Sequence, residues 1–216
     1  MALKGAVLEK NLDKIVLASG NAGKLREFSQ LFASWDIEVV PQSDYNIPDA
    51  DETGLSFIEN ALIKARHASR LSGLPALADD SGLAVDALHG APGIYSARYA
   101  GIGATDAENN RKLLEALADT PDEQRGASFN CALAFVRRED DPVPLVCSAR
   151  WRGRILHEAA GEGGFGYDPL FFVETEGMAS AQLSREVKNR ISHRGQAVER
   201  FRALWQEYMG SEAALG

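Results

Sequence analysis

The feature that most restricts the fold is a pair of long strand-like runs in the middle of the chain, Ala127 to Val136 and Val143 to Ile155, joined through Glu139-Asp140-Asp141-Pro142. A short polar link can join only antiparallel neighbours, because a parallel return needs a crossover of a dozen or more residues. This hairpin forms either an edge or the spine of a second lobe. The first third of the chain imposes the opposite geometry. An apolar run, Ile15 to Ala18, enters the glycine turn Ser19-Gly20-Asn21-Ala22-Gly23-Lys24, and Leu25, Phe28, Leu31 and Phe32 follow at helical spacing. A short strand, Ile37 to Val40, and a helix, Ser56 to Leu71, come next. Strands alternating with helices pair in parallel, so the two patterns together predict an α/β fold around a mixed sheet.

Composition sets the outer limits. With 216 residues, 45% of them hydrophobic, the chain suffices for one domain with a single full core. No repeat or linker divides it, so residues 1–216 are read as one domain. Lys and Arg number 23 against 31 Asp and Glu, a net charge of -8, which argues against nucleic acid as a partner. No apolar run approaches the ~20 residues that cross a bilayer, and the N-terminus lacks a signal-peptide core, so a soluble, cytoplasmic protein with no membrane partner is expected. Two cysteines, Cys131 and Cys147, fit a reducing compartment and read as buried strand residues.

The helix from Ser56 opens on a capping box, Ser56-x-x-Glu59, and closes at Gly73 and Pro75. Its buried stripe is expected at Ile58, Ala61, Leu62 and Ala65, with Asn60 and Lys64 exposed together one turn apart. Thr105-x-x-Glu108 caps another helix, with Leu113, Leu114 and Leu117 turned inward. Further on come a strand at Leu170 to Val173, a short helix around Arg185 to Asn189, and a last helix from near Ser192 that buries Val198, Phe201, Leu204, Trp205 and Tyr208.

Four segments carry chemistry. Ser19 to Lys24, between a strand and a helix, offers free backbone N–H groups, a helix dipole and an ammonium, the needs of a phosphate. It is not a Walker A loop, since Ala18 and Leu25 stand where that motif requires Gly and Ser or Thr; an unliganded strand-to-helix turn would look similar. Asp79-Asp80-Ser81-Gly82 places adjacent carboxylates straight after a short buried strand, Ala76-Leu77-Ala78, and they interrupt the apolar run, which resumes at Leu83-Ala84-Val85. Such a pair resists desolvation unless a cation compensates it, and hard oxygen ligands without Cys or His spacing suggest Mg²⁺ or Mn²⁺. The competing explanation is an Asx turn at a strand end. Strand alternation lets only one of the two carboxylates face a site. Gly161 to Gly166 matches G-x-G-x-x-G, but Pro169 follows at once and no dinucleotide-type helix does. Phe165, Tyr167 and Asp168 suit a flat ring better, with aromatic faces and a carboxylate for ring N–H groups, unless the aromatics simply belong to the core. Ser192-His193-Arg194-Gly195 offers donors at a helix start.

Taken in order, SGNAGK (19–24), ETGLSFIENALIKA (52–65), ADDSGLAVDALHGAPGIYSARYAG (78–101), GGFGYDPLFF (163–172) and SHRGQA (192–197) closely resemble the Ham1 family of inosine triphosphate pyrophosphatases, across roughly residues 13 to 208. The resemblance implies a Mg²⁺-dependent enzyme that hydrolyses ITP, dITP and XTP to the monophosphate and pyrophosphate, usually a homodimer. It also implies a two-lobed single domain around a long mixed sheet, with the site in the cleft between the lobes. By motif, Asp80 would be the general base, and Glu52 and Asp80 the metal ligands, with Asp51, Glu59 and Asp79 as neighbours. Ser19, Gly20, Asn21, Ala22, Gly23 and Lys24 would form the phosphate loop, Lys64 would reach the triphosphate, and Ser81 would touch substrate. Phe165, Gly166, Tyr167, Asp168, Lys188, His193 and Arg194 would surround the purine. A pyrophosphatase for other modified nucleotides and a non-catalytic nucleotide-binding module are the alternatives.

Overall fold

The computed structural model describes residues 14–20, 28 and 37–213, with side chains to Tyr208. Among them seven strands form one sheet in the order β2-β1-β3-β4-β5-β6-β7. These are β1 (Lys14–Ala18), β2 (Glu38–Pro41), β3 (Ala76–Val85), β4 (Gly126–Val136), β5 (Leu145–Ile155), β6 (Phe171–Val173) and β7 (Met178–Ala179). The helices are α1 (Phe57–Ser72), α2 (Asp106–Ala116), α3 (Arg185–Ile191) and α4 (His193–Ala213). β1 pairs in parallel with both β2 and β3, and every other pairing is antiparallel. The sheet is therefore mixed, as the sequence predicts, and the hairpin of β4 and β5 forms its spine. No helix of the described residues is long and apolar enough to cross a membrane.

The register explains where a site can open. β1 stops at Ala18, opposite Ala78, while β3 runs on through Asp79, Asp80 and Ser81 to Val85. Past Ala78 that edge of β3 has lost β1, and among the described residues it is bridged again only at Ala84, to Pro92. From the parallel neighbours β1 and β3 the chain also departs in opposite directions, from β1 to β2 and from β3 to β4, which makes a switch point of the kind that holds ligands in open α/β sheets. Both carboxylates sit within the continuous strand β3, so they neither interrupt it nor form a turn.

Alternation along β3 sends its side chains to opposite layers. On one face Leu77 joins Ile15, Leu17, Leu133 and Phe135 under Phe201 and Trp205 of α4. Val198 is buried there, but Leu204 and Tyr208 are only half-buried, since a helix lying on a sheet covers one stripe. Phe28, helical and buried, belongs to the same core; Leu25, Leu31 and Phe32 lie outside the described residues. On the other face Ala61, Ala65 and Ala68 of α1 rest on Ala76, Ala78, Ala132 and Ala134. This alanine seam corrects the expected stripe: Ile58 is 42% exposed and Leu62 only half-buried. Side chains without γ atoms let the helix approach the sheet closely, and the larger residues are left at the margins.

The caps behave as read. Ser56 accepts from the Glu59 N–H, Gly73 ends α1 in the left-handed region at φ 71°, and Thr105 with Glu108 forms a complete capping box. Cys131 is buried, whereas Cys147 is half-buried, with desolvation raising its thiol to about 11. The sequence reading missed Arg125, which is 1% exposed and donates to the carbonyls of Leu117, Thr120, Ile155 and Leu156. It ties the end of α2 to the end of β5.

Candidate active site

A cleft of about 610 Å³ opens beside the bare edge of β3. Ser19, Gly20, Glu52, Lys64, Ser81, Phe165, Gly166, Tyr167, Asp168, Lys188, His193 and Arg194 all line it. Asn21, Ala22, Gly23 and Lys24 lie outside the described residues. Asp80 stands just behind Lys64, 6% exposed.

At one end the centre is a lysine. Because α1 lies close on the alanine seam, Lys64 and Asn60, one turn apart, both reach Asp80. Lys64 Nζ donates to Asp80 Oδ1 at 2.9 Å and to Glu52 Oε1 at 3.0 Å, and Asn60 Nδ2 donates to Asp80 Oδ2 at 3.3 Å. Asn60 is fully buried, so these two residues are turned inward, against the expectation that they face solvent. The Asn60 side-chain oxygen takes the Gly54 N–H at 2.9 Å, which folds the loop carrying Glu52 back onto α1. Arg98 NH1 donates to the second Glu52 oxygen at 3.3 Å, a partner the sequence reading did not single out. Burial alone would lower the Lys64 pKa, but Asp79, Asp80 and Glu52 outweigh it and hold the ammonium well above its ordinary range. Burial would raise Glu52, and Lys64 and Arg98 reverse that, leaving its carboxyl below the usual range.

Asp79 points to the other face, where Ser81 Oγ donates to it at 3.0 Å and Arg194 Nε stands 3.9 Å away. Arg194 NH2 also donates to Ser81 Oγ at 3.2 Å. One carboxylate thus serves each face, as strand alternation requires. Of the other acidic neighbours, Asp51 lines the cleft, and Glu59 is taken up by the α1 cap through Leu55 N–H and Ser56 Oγ.

The opposite end is built on Asp168, which is 3% exposed. Its Oδ2 accepts from the Phe165 N–H at 2.9 Å and from Lys188 Nζ at 2.7 Å, and its Oδ1 accepts from Ser180 Oγ at 2.8 Å. Oδ2 is filled, so only Oδ1 keeps a lone pair for a ring N–H. Phe165 is half-buried, with Lys188 Nζ 5.2 Å and Arg194 Cζ 5.4 Å from its ring centre, within cation–π range. Tyr167 departs from the expected aromatic sandwich. It is 4% exposed, packs in the core, and donates its hydroxyl to the Ser96 carbonyl at 2.8 Å. Its ring is a wall of the cleft with its faces taken up by the core. The His193 ring lies parallel to that of Phe129, centres 4.8 Å apart, which fixes its plane at the start of α4.

Gly164, at φ 77°, has no room for a side chain because a Cβ there would strike Asp168 Oδ2. Gly164→Ala should therefore displace the Asp168 carboxylate from Lys188 and the Phe165 N–H. We expect nucleotide affinity to fall at least ~10-fold in calorimetry and the melting temperature to fall with it, since the displaced carboxylate is buried and the new side chain stands in the left-handed region. Unaltered affinity would show that the Asp168 cluster takes no part in binding.

A mixed-sheet α/β domain with a cleft at the carboxyl end of its first strand, lined by cations and carboxylates at one end and by an aromatic loop at the other, is the class defined so far. Residues 15–204 match the model of the Ham1 family. The chain belongs to that family. It is 59% identical over 188 residues, 87% of this chain and 95% of the other, to the dITP/XTP pyrophosphatase of Shigella flexneri, and 57% identical over the same span to that of Escherichia coli K12. Among solved structures, a HAM1 protein from Coxiella burnetii superposes with a TM-score of 0.84 at 50% identity, covering 90% of this chain and 98% of that one. The Ham1 protein of Staphylococcus aureus gives 0.80 at 40% identity, covering 90% and 99%.

Proposed function

We propose that this chain hydrolyses the non-canonical purine nucleoside triphosphates ITP, dITP and XTP to the monophosphate and pyrophosphate, and so cleanses the nucleotide pool. The observation that carries the reading is the convergence of Glu52 and Asp80 on the Lys64 ammonium, in a cleft whose far end holds Phe165, Lys188 and Arg194. Relatives sharing more than half of the sequence are named dITP/XTP pyrophosphatases, which supports it.

The donor set fits Mg²⁺. Among the described residues no cluster of three or more His, Cys, Asp or Glu side chains can hold an ion unaided. Two carboxylate oxygens nevertheless converge on one cationic position, which the Lys64 ammonium fills. An ion that takes one or two carboxylates and completes its shell with phosphate oxygens and water suits that arrangement, and Mg²⁺ is of this kind. Bound to Glu52 and Asp80, it would supply charge neutralisation of the triphosphate and a more acidic attacking water.

The residues of the chain do the rest. Asp80, held in place by Lys64 and Asn60, takes the proton from the water that attacks the α-phosphorus. The bond from that phosphorus to the bridging oxygen breaks, and pyrophosphate leaves with the electron pair. Lys64, the Ser19 to Lys24 loop and its backbone N–H groups take the charge of the β- and γ-phosphates. Phe165 stacks on the base, while Lys188, His193 and Arg194 are the donors for a 6-keto oxygen. Adenine offers an amino group there and leaves those buried donors unpaired, which is a strong ground for rejection. The same reading takes the protein as a cytoplasmic homodimer with its cleft between two lobes.

Pyrophosphate release from ITP, dITP, XTP, GTP, ATP and a set of modified pyrimidine triphosphates, with Mg²⁺ or with excess EDTA, tests all of this. We expect rapid release from the first three, specificity constants at least ~100-fold lower for ATP, and none in EDTA. Comparable constants for ATP and ITP would sink the keto-recognition scheme, full activity in EDTA the metal, and tight binding without release the enzyme.

A further inference from the structure

The chemistry assigned to the cleft leaves unexplained why the first two turns of α2 present a polar face to it. Asp106, Asn109 and Asn110 stand at positions i, i+3 and i+4, one face of the helix. Two of them close on a single residue of the aromatic loop, Gly166. The Gly166 N–H donates to Asp106 Oδ2 at 2.6 Å, and Asn110 Nδ2 donates to the Gly166 carbonyl at 2.9 Å. Gly166 sits at φ 61°, so its conformation is one that side-chain-bearing residues rarely adopt, and the two bonds hold its backbone from both ends. The Gly166 carbonyl needs the amide donor of Asn110, which leaves the amide oxygen buried without a hydrogen-bond partner.

We propose that Asp106 and Asn110 are positioning residues that set base affinity and discrimination, by clamping the loop that carries Phe165. The proposal rests on the reading above of that loop as the base wall. Gly166 lies between the Phe165 ring, near Lys188 and Arg194, and the Tyr167 hydroxyl bonded to Ser96. With that residue fixed, the ring plane of Phe165 is set before a nucleotide arrives. Without the clamp the loop must be ordered at the moment of binding, which weakens affinity and leaves the bound chemistry intact. The penalty therefore falls on KM, and it falls only on ligands that carry a base. Asn109 adds the other half of the arrangement: it accepts from the Ala100 N–H at 2.7 Å and donates to the Ala97 carbonyl at 3.2 Å, on either side of Arg98. One helix face thereby tethers both walls of the cleft.

The test compares wild type with Asp106→Ala, Asn110→Ala and Asp106→Asn by hydrogen exchange of residues 163–168 and by steady-state kinetics with ITP and ATP. Inorganic tripolyphosphate serves as a competitive inhibitor that lacks a base. In each alanine variant we expect exchange of the Phe165 to Tyr167 amides ~10-fold faster and KM for ITP raised ~5- to 10-fold, the scale of one lost hydrogen bond. Turnover should stay within ~3-fold, inhibition by tripolyphosphate within ~2-fold, and the ITP to ATP preference should shrink. Asp106→Asn, which keeps an acceptor of the same shape, should recover most of the KM. Unchanged exchange in both alanine variants, or a fall in turnover at constant KM, would overturn the proposal. Should wild type release pyrophosphate from none of the purines, the functional reading fails separately, and exchange together with calorimetric binding of IMP still decides on the clamp. A variant that does not fold is replaced by the other, since the two hold the N–H and the carbonyl of one residue.

Discussion

Asp80→Asn should lower turnover by at least ~100-fold, the scale of a removed general base. The residue is 6% exposed and is asked for acceptors at both oxygens, by Lys64 at 2.9 Å and Asn60 at 3.3 Å. Asparagine has one acceptor and one donor, so whichever way the amide turns, an N–H meets another donor. A loss of stability of about 1–3 kcal/mol should accompany the loss of rate. Asp79→Asn provides the comparison. Asp79 faces Ser81 and Arg194 on the opposite side of β3, so its replacement should weaken nucleotide binding more than turnover. Near-normal turnover in folded Asp80→Asn, with turnover lost in Asp79→Asn, would assign the base to the wrong carboxylate.

Lys64→Met has the second large effect, and it appears in stability as well as in binding. The lysine side chain is 14% exposed and neutralises Asp80 and Glu52, which are 8% and 25% exposed. Removing one partner of such a buried cluster leaves uncompensated carboxylates, at a cost of about 3 kcal/mol. The pH dependence follows from the signs. The Lys64 pKa is raised, so its contribution is fully present below the unfolded value of ~10.4 and is lost only as pH rises through the folded value. The Glu52 pKa is lowered, so its contribution is present above the unfolded value of ~4.3 and is lost as pH falls through the folded value. Between these limits the contributions of Lys64 and Glu52 to wild-type stability should be flat. In Lys64→Met the two carboxylates, buried and mutually repelling, take up protons on acidification, and the deficit in melting temperature should narrow between pH 8 and pH 5. A deficit independent of pH would mean that lost packing, and not charge, is responsible. Calorimetry with ITP and IMP supplies the functional half: affinity for the triphosphate should drop at least ~10-fold and that for the monophosphate much less. Equal losses for the two would move Lys64 away from the β- and γ-phosphates.

Where the sequence was legible, periodicity and chain connectivity were enough. The strand at Ile15 to Ala18, the capped helix from Ser56, the long hairpin and the mixed sheet all follow from patterns that act over a few residues or one turn. The alternation argument separated Asp79 from Asp80 before any coordinates. The errors have a common cause, which is that local patterns do not report what lies opposite. Ile58 and Leu62 were assigned to the α1 stripe on hydrophobicity, yet the sheet beneath is alanine and favours a close, small-residue contact. Asn60 read as exposed because its partner, Asp80, is brought to it only by the β3 register. Tyr167 read as a ligand platform, and a carbonyl 71 residues away, on Ser96, holds its hydroxyl in the core. Arg98 lay inside a segment that carries the family resemblance but was not singled out, and Asn109 and Asn110 carried little beyond their residue types, since each works through a partner distant in sequence. A helix opening with Asp, Asn and Asn on one face was the one hint available.

The alanine seam under α1 has a bearing on how this protein can change. The same methyl-deep contact that packs the core also sets the span from Lys64 to Asp80, so core and cleft share one ruler. Enlarging Ala61 or Ala65 by a single carbon would lift the helix and lengthen an ion pair several residues away, with no substitution in the cleft itself. Stability and chemistry are mechanically geared here, and neither can drift far through this part of the chain without carrying the other along.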